Sequence, residues 1–367
     1  METSDSESGT TYQAAGVDNE RADLGLKRII SRVRQTWPQG HEPGAVQLDI
    51  GHYASVIDIG GIGLAIATDG IGSKAIISQM VDRYDTVGID CVAMNVNDLI
   101  CVGATPLSMV DYMAVQEAHL DLLDDLSKGL CAGAEMANIS ISGGETAQLP
   151  SVITGYKEGY GFDLAGTAVG TVPLDRIIVG RDIEPGDVIV GIESNGIHSN
   201  GLSLARHIFF EQHGYTVETR FPELRQPLGD ELLEPTHIYV REALAVLASD
   251  IALKALVHIT GDGLLNLNRI DAEAGFVIDQ LPPVPPIFSL MQQLGRVSDE
   301  EMFRVFNMGV GFCMIVPPQD AERAISIVND HGKKAYAIGY AVADPDKSIH
   351  IAQKGIVGKG KAFLKSG

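Results

Sequence analysis

Seven polar or charged residues stand among apolar neighbours between Ala67 and Glu145: Asp69, Lys74, Asp90, Asn97, Asp98, Asp111 and Glu145. An unpaired carboxylate in a packed interior costs several kcal/mol, so these groups face a ligand, a metal ion or one another. The string TDGIGSK places Asp69, Gly70, Gly72 and Lys74 in one loop after a β-rich segment. Glycines there let backbone amides approach phosphate oxygens, and the lysine adds a mobile cation. The spacing departs from the Walker A pattern, and a tight glycine hairpin is the competing reading.

In VNDL, Asn97 and Asp98 lie side by side at a helix edge. Asp69 and Asp98 together offer the hard oxygen donors that suit Mg²⁺, which keeps several waters and takes few carboxylates. A helix cap and a surface ion pair would use the same residues. GGETA ends a strand with Gly143, Gly144 and Glu145, a carboxylate placed to act as ligand or base. SNGIHSNG sets His198, Ser199, Asn200 and Gly201 at a strand-to-helix turn, and a helix N-terminus attracts anions. His198 either donates to a phosphate or leaving oxygen there or is a structural turn histidine. His207, His213 and His237 carry no such pattern. HExxH, GxSxG and a glycine-rich dinucleotide fingerprint are all missing from the sequence, which disfavours hydrolase and dehydrogenase readings.

The elements that must hold these groups follow from periodicity. YASVIDIG and IGLAIATDG read as a hairpin turning at Gly60 and Gly61 and ending at Asp69. GIDCVAMNVNDLICVG has Val92, Val96, Leu99 and Ile100 at helical spacing, with Asp90, Asn97 and Asp98 along one polar edge. PLSMVDYMAV is a strand, HLDLLDDLSKGLCAGAEMANI a long amphipathic helix, SISGGETA a strand running into a glycine turn, and GFDLAGTAVGTVP a strand. Residues 18–36 form an amphipathic helix with Leu24, Leu26, Ile29, Ile30 and Val33 on its apolar side. Further on, DVIVGI is a strand, LSLARHIFFEQHG a helix, LKALVHITGDGLLNLNRI strand, turn and helix, and PPVPP a rigid loop. FNMGVGFCMIVP, DAERAISIVNDHG and AYAIGYAVA complete a strand, helix and strand. This order predicts an α/β or α+β fold.

At 367 residues the chain exceeds the roughly 250–300 residues at which single cores stop growing. It divides into an acidic disordered tail over 1–12, an N-terminal domain over 13–174 and a C-terminal domain over 175–367. The 48 acidic residues against 27 Lys and Arg give a net charge of −21. Such a surface repels nucleic acid and anionic lipid, and fits solubility or a high-salt setting equally. The sequence lacks a run of about 18 uncharged apolar residues that would span a bilayer, and the start lacks the apolar core of a signal peptide. A cytoplasmic enzyme is the expectation. Cys91, Cys101, Cys131 and Cys313 lack CxxC spacing and read as reduced core residues.

Taken in order, YQAAGVD, TDGIGSK, DTVGIDCVAMNVNDLICVGATPLSMVDY, GGETAQLP, FDLAGTAVG, GDVIVGIESNGIHSNGLSLAR, EPTHIYV, HITGDG and EMFRVFNMGVGF resemble the aminoimidazole ribonucleotide synthetase family, the phosphoribosylformylglycinamidine cyclo-ligases. The resemblance runs over nearly the whole chain. It implies ATP-dependent ring closure of formylglycinamidine ribonucleotide to aminoimidazole ribonucleotide, with Mg²⁺, and K⁺ as an open addition. It also implies a homodimer whose N-terminal sheets join into a barrel, with ATP and the ribonucleotide sharing the cleft between domains. Asp69 and Asp98 would then hold Mg²⁺. Lys74, Glu145 and His198 would be catalytic. Gly70, Gly72, Asp90, Asn97, Gly143, Gly144, Ser199, Asn200 and Gly201 would bind ATP or substrate. The chain departs from the family's HxTGGG string in having Asp262 within HITGDG, and Asp58 in YASVIDIG looks more like the wider group that includes thiamine monophosphate kinase. A kinase-like relative and a non-catalytic nucleotide binder are the alternatives.

Overall fold

The computed structural model describes residues 9–11, 15, 19–38 and 42–366. The acidic tail up to residue 8 and most of the YQAAGVD string lie outside the described residues. Helix α1 (Asn19–Val33) continues into a 3₁₀ turn, Arg34–Thr36, close to the expected span. Its apolar side does not face a core. Leu24, Leu26, Ile29 and Val33 are all exposed.

Residues 55–173 supply every strand of a five-stranded sheet. Its strands are β1 (Ser55–Asp58), β2 (Ile62–Gly70), β3 (Thr105–Val115), β4 (Ser140–Gln148) and β5 (Phe162–Pro173), in the order β1-β2-β5-β3-β4. Strands β1 and β2 are the expected hairpin, antiparallel with Asp58 opposite Gly63. The parallel β3–β4 pair is connected by a helix, as a parallel crossover requires. Helices α2 (Lys74–Val81), α3 (Val87–Ile100) and α4 (Leu120–Ala137) accompany the sheet. Helix α3 packs on β2 and β5 and is crossed by α4. That crossing is close because Gly88, Gly129 and Gly133 lie in it: a Cβ on Gly88 would collide with the backbone of Gly129 and Leu130.

The expected glycine turn at Gly143 and Gly144 is not a turn. Strand β4 continues through the pair after a register irregularity at Ser142, with Gly143 opposite Val110 and Gly144 opposite Asp111. A Cβ on Gly144 would strike the Asp111 carboxylate, so the glycine makes room for a side chain rather than reversing the chain.

Residues 188–365 supply the second sheet, eight strands in the order β13-β12-β11-β8-β10-β6-β9-β7. These are β6 (Val188–Glu193), β7 (Ala255–His258), β8 (Ala274–Ile278), β9 (Val310–Val316), β10 (Ala335–Ala343), β11 (Ile349–Ile351), β12 (Ile356–Lys359) and β13 (Ala362–Lys365). Around it lie α5 (Leu202–Arg206), α6 (Leu228–Leu233), α7 (Val240–Leu247), α8 (Pro286–Gly295), α9 (Asp299–Val305) and α10 (Ala321–Asp330). Two helices differ from expectation. After α5 the chain widens into a π-helical stretch, His207–Gln212, and the helix expected after HITGDG is a 3₁₀ segment, Gly263–Arg269. In the PPVPP loop the last proline opens α8, where its missing N–H costs nothing. The cysteines are free, but Cys131 is exposed on α4 while the other three are buried.

Candidate active site

Asp69 ends β2 and Asp98 sits near the end of α3. Asn95 fixes them relative to each other: its Oδ1 accepts from Asp69 N at 3.0 Å, and its Nδ2 donates to Asp69 O at 3.1 Å and to Cys91 O at 2.8 Å. Burial, followed by the charge of Asp98, pushes the Asp69 carboxyl above the ordinary carboxylate range, while the Gly70 amide pulls the other way. A carboxylate raised by burial and by a neighbouring carboxylate is in an environment that a divalent cation relieves. Among the described residues no group of three or more His, Cys, Asp or Glu is arranged to hold a metal. Two carboxylates fit Mg²⁺ if phosphate and water complete its shell.

Asp98 has a partner that motif spacing did not reveal. His258, at the end of β7, donates from Nδ1 to Asp98 Oδ1 at 2.8 Å. Asn97 Nδ2 lies 3.4 Å from the other ring nitrogen, and since an amide N–H can only donate, the proton is fixed on Nδ1. Arg269 adds a cation nearby, above the Tyr53 ring at 4.8 Å and 3.8 Å from Asp262. The additional carboxylate of HITGDG is thus loosely ion-paired.

The glycine loop leads from β2 into α2. Gly72 is in the left-handed region, with φ +57 and open space around its Cα, so its backbone is accessible to a phosphate. Lys74 is not the mobile cation the spacing suggested. Its side chain is 0% exposed, with Nζ 2.8 Å from Asp90 Oδ1 and 2.7 Å from Glu234 O. Burial lowers its pKa, and Asp90 acts against that shift. Asp90 is equally buried, and its Oδ2 has no hydrogen-bond partner among the described residues.

Loop 194–201 holds the second group of candidate residues. His198 has φ 65 and is 3% exposed. Its Nε2 lies 2.9 Å from Asn195 Oδ1. Asn195 Nδ2 donates to Glu234 Oε1 and Pro235 O, which leaves its oxygen to accept from the ring. Burial, then His237, pushes the ring's pKa well below the ordinary histidine value. The ring is buried and held by Asn195, and its Nδ1 has no hydrogen-bond partner among the described residues. Gly311 makes space for it, since a Cβ there would meet His198 and Tyr239. Ser199 donates to Asp90 Oδ1 at 3.1 Å. Asn200 lies against Gly261 of the HITGDG loop, so this part of the loop does join the Asp98–His258 neighbourhood. Gly201, with φ 82, packs under the Phe306 ring.

Gly143, Gly144 and Glu145 stand apart. Asp69 pairs with Gly166, Gly166 with Asp111, and Asp111 with Gly144. Three interstrand steps place Gly144 about 14 Å from Asp69. Glu145 is exposed on the edge strand, so one chain does not bring it to the Asp69–Asp98 pair. A cavity of about 740 Å³ opens on the other side of loop 194–201, lined in part by Asn195, Arg225, Glu234, His237 and Lys333. Of the residues named from the sequence, His237 and part of the PPVPP loop line it, but none of the candidate catalytic, binding or metal residues does.

The chain thus combines two sheets flanked by helices with a carboxylate pair beside a glycine loop. Residues 51–172 match the N-terminal domain, and residues 184–352 the C-terminal domain, of AIR synthase related proteins, so the chain belongs to that family. It is 45% identical over 341 residues to the phosphoribosylformylglycinamidine cyclo-ligase of Methanothermobacter thermautotrophicus, covering 93% of this chain and 96% of that one. The cyclo-ligase of Pyrococcus horikoshii is 45% identical over 350 residues, covering 94% and 99%. The fold is shared with the thiamine-monophosphate kinase of Stenotrophomonas maltophilia, at a TM-score of 0.59 and 20% identity, covering 84% of this chain and 91% of that structure.

Proposed function

We infer that this chain is an ATP-dependent cyclo-ligase that closes formylglycinamidine ribonucleotide to 5-aminoimidazole ribonucleotide, releasing ADP and phosphate, a step of purine biosynthesis. The observation that carries this is 45% identity with cyclo-ligases over 93% and 94% of the chain, in a chain that keeps the Asp69–Asp98 pair beside an open glycine loop. In the reaction the formyl amide oxygen takes the γ-phosphoryl group of ATP, an amidine nitrogen attacks the activated carbon, and the C–O bond breaks to release phosphate. No covalent enzyme nucleophile is needed. Positioning and charge neutralisation dominate such transfers.

Asp69 and Asp98 would hold Mg²⁺, which would supply positive charge to offset that of the phosphates. The Gly70 and Gly72 backbone meets the phosphates, and Asn200 with the 258–263 loop forms the facing wall. His258 orients the Asp98 carboxylate. We divide the chain into an N-terminal domain over 13–174 and a C-terminal domain over 175–367, a reading supported by strands of one sheet lying within 55–173 and of the other within 188–365. Homodimerisation is supported by the face of the smaller sheet opposite α3, where Ile62, Val110 and Tyr112 are 51%, 44% and 43% exposed; patches of that kind mark association sites. No helix among the described residues is long and apolar enough to cross a membrane.

The test is ADP release coupled to detection of the aminoimidazole product by diazo coupling, with Mg²⁺, with and without K⁺, at low and high salt. Product formed in step with ADP supports the reading. ATP binding without turnover under every condition contradicts it.

A further inference from the structure

Helix α3 carries more than Asp98. Asp90 and Asn97 are seven residues apart, two helical turns, and so share one face; both are 0% exposed. Both reach across to the segment joining α6 to α7. Asn97 Nδ2 donates to His237 O at 2.8 Å, and Asn97 Oδ1 accepts from Tyr239 N at 2.9 Å. Asp90 Oδ1 accepts from Thr236 N at 2.7 Å, Thr236 Oγ1 at 2.6 Å and Ser199 Oγ at 3.1 Å. Residues 234–239 belong to neither sheet, so α3 satisfies their backbone groups in place of a strand. The residue following Asn97 is Asp98, which receives His258. A single helix face therefore grips the 194–201 loop through Ser199 and the 236–239 segment through Asp90 and Asn97, while the adjacent Asp98 meets the 258–263 loop.

We propose that Asp90 and Asn97 are positioning residues for ring closure, which touch neither substrate but set the distance between the Asp69–Asp98 pair and the loops of the second sheet. Lys74 serves this clamp by balancing the Asp90 charge. The inference rests on the cyclo-ligase reading for its turnover readout, but nucleotide affinity and hydrogen exchange are read without turnover. Failure of the clamp is thereby distinguishable from failure of the function.

The experiment uses full-length wild type, Asn97→Leu and Thr236→Val. It measures the Mg·ATP dissociation constant, kcat with the ribonucleotide, and amide hydrogen exchange over residues 194–201 and 234–240. A misplacement of the order of an ångström lowers rate about a hundredfold, so Asn97→Leu is expected to lose kcat by about thirtyfold to a hundredfold and Thr236→Val by about tenfold. In both, Mg·ATP affinity stays within about threefold of wild type and exchange in the two segments accelerates, as for a lost tether. Weakened Mg·ATP binding in proportion to the loss of rate, with exchange unchanged, would make these residues ligands and overturn the proposal. Accelerated exchange with kcat unchanged would overturn it too, by making the clamp purely structural. Should Asn97→Leu fail to fold, Thr236→Val, which exchanges only a hydroxyl for a methyl, decides alone.

Discussion

Replacing Lys74 by Met removes one partner of an ion pair that is 0% exposed on both sides and closed at 2.8 Å. Leaving a buried charge uncompensated costs roughly 3–5 kcal/mol, whereas replacing both partners by neutral groups of similar shape is close to neutral. At about 2–4 °C per kcal/mol for domains of this size class, Lys74→Met should lower Tm by roughly 6–20 °C. Adding Asp90→Asn should restore most of that. An asparagine Oδ1 keeps the acceptor that Thr236 uses, and the remaining defect is the lost bond from Lys74 Nζ to Glu234 O, worth about 1 kcal/mol. The assay is thermal unfolding by circular dichroism on wild type, both single variants and the double variant, with Mg·ATP affinity measured on each. A Lys74→Met protein of unchanged Tm that has lost affinity for ATP would contradict a purely structural ion pair. It would mean that Lys74 leaves the ion pair to meet a phosphate.

Three further outcomes are expected. Asp98→Asn should fold normally yet lose about a hundredfold or more in Mg²⁺-dependent turnover, the scale of losing one preorganised electrostatic group; turnover within threefold of wild type would remove Asp98 from the metal site. The raised carboxyl of Asp69 favours the folded state in acid, a contribution present below the unfolded value near 3.8 and lost as pH rises through the higher folded value. Stability of the Mg²⁺-free protein should therefore fall less over that window in Asp69→Asn, and Mg²⁺ should bind more tightly as pH increases through it; parallel stability curves for the two proteins would contradict this. Gly88→Ala should destabilise by about 1–3 kcal/mol through overpacking of the α3–α4 crossing, read from denaturant midpoints, and an unchanged midpoint would show that the crossing has slack.

What the sequence made legible were elements whose apolar periodicity is local. The β1–β2 hairpin, α3 and α4 stand where spacing put them, because each buries a regular face. The glycine pair at 143–144 misled because glycine marks turns and close side-chain approaches alike, and only the register with Asp111 separates the two. Lys74 and His198 have types that suit phosphate chemistry, yet their environment comes from residues 160 positions away for Lys74 and from β9 for His198. Asn95, Thr236, His258 and Arg269 drew no separate attention for the same reason: their partners lie on another element. One local signal existed. Asn95 interrupts the apolar run CVAMNV, and an amide there needs a partner, which the end of β2 supplies. The motif strings located the site's walls, while burial decided which side chains face inward.

The most direct test of the account is single-turnover conversion of formylglycinamidine ribonucleotide with γ-labelled ATP, comparing wild type with Asp98→Asn. Wild-type protein should form one aminoimidazole ribonucleotide and one labelled phosphate per ATP consumed, and the variant should fold yet form neither at a comparable rate. Labelled phosphate retained on an intact, unclosed ribonucleotide as the end product would contradict the account, because the chain would then be a kinase and not a cyclo-ligase.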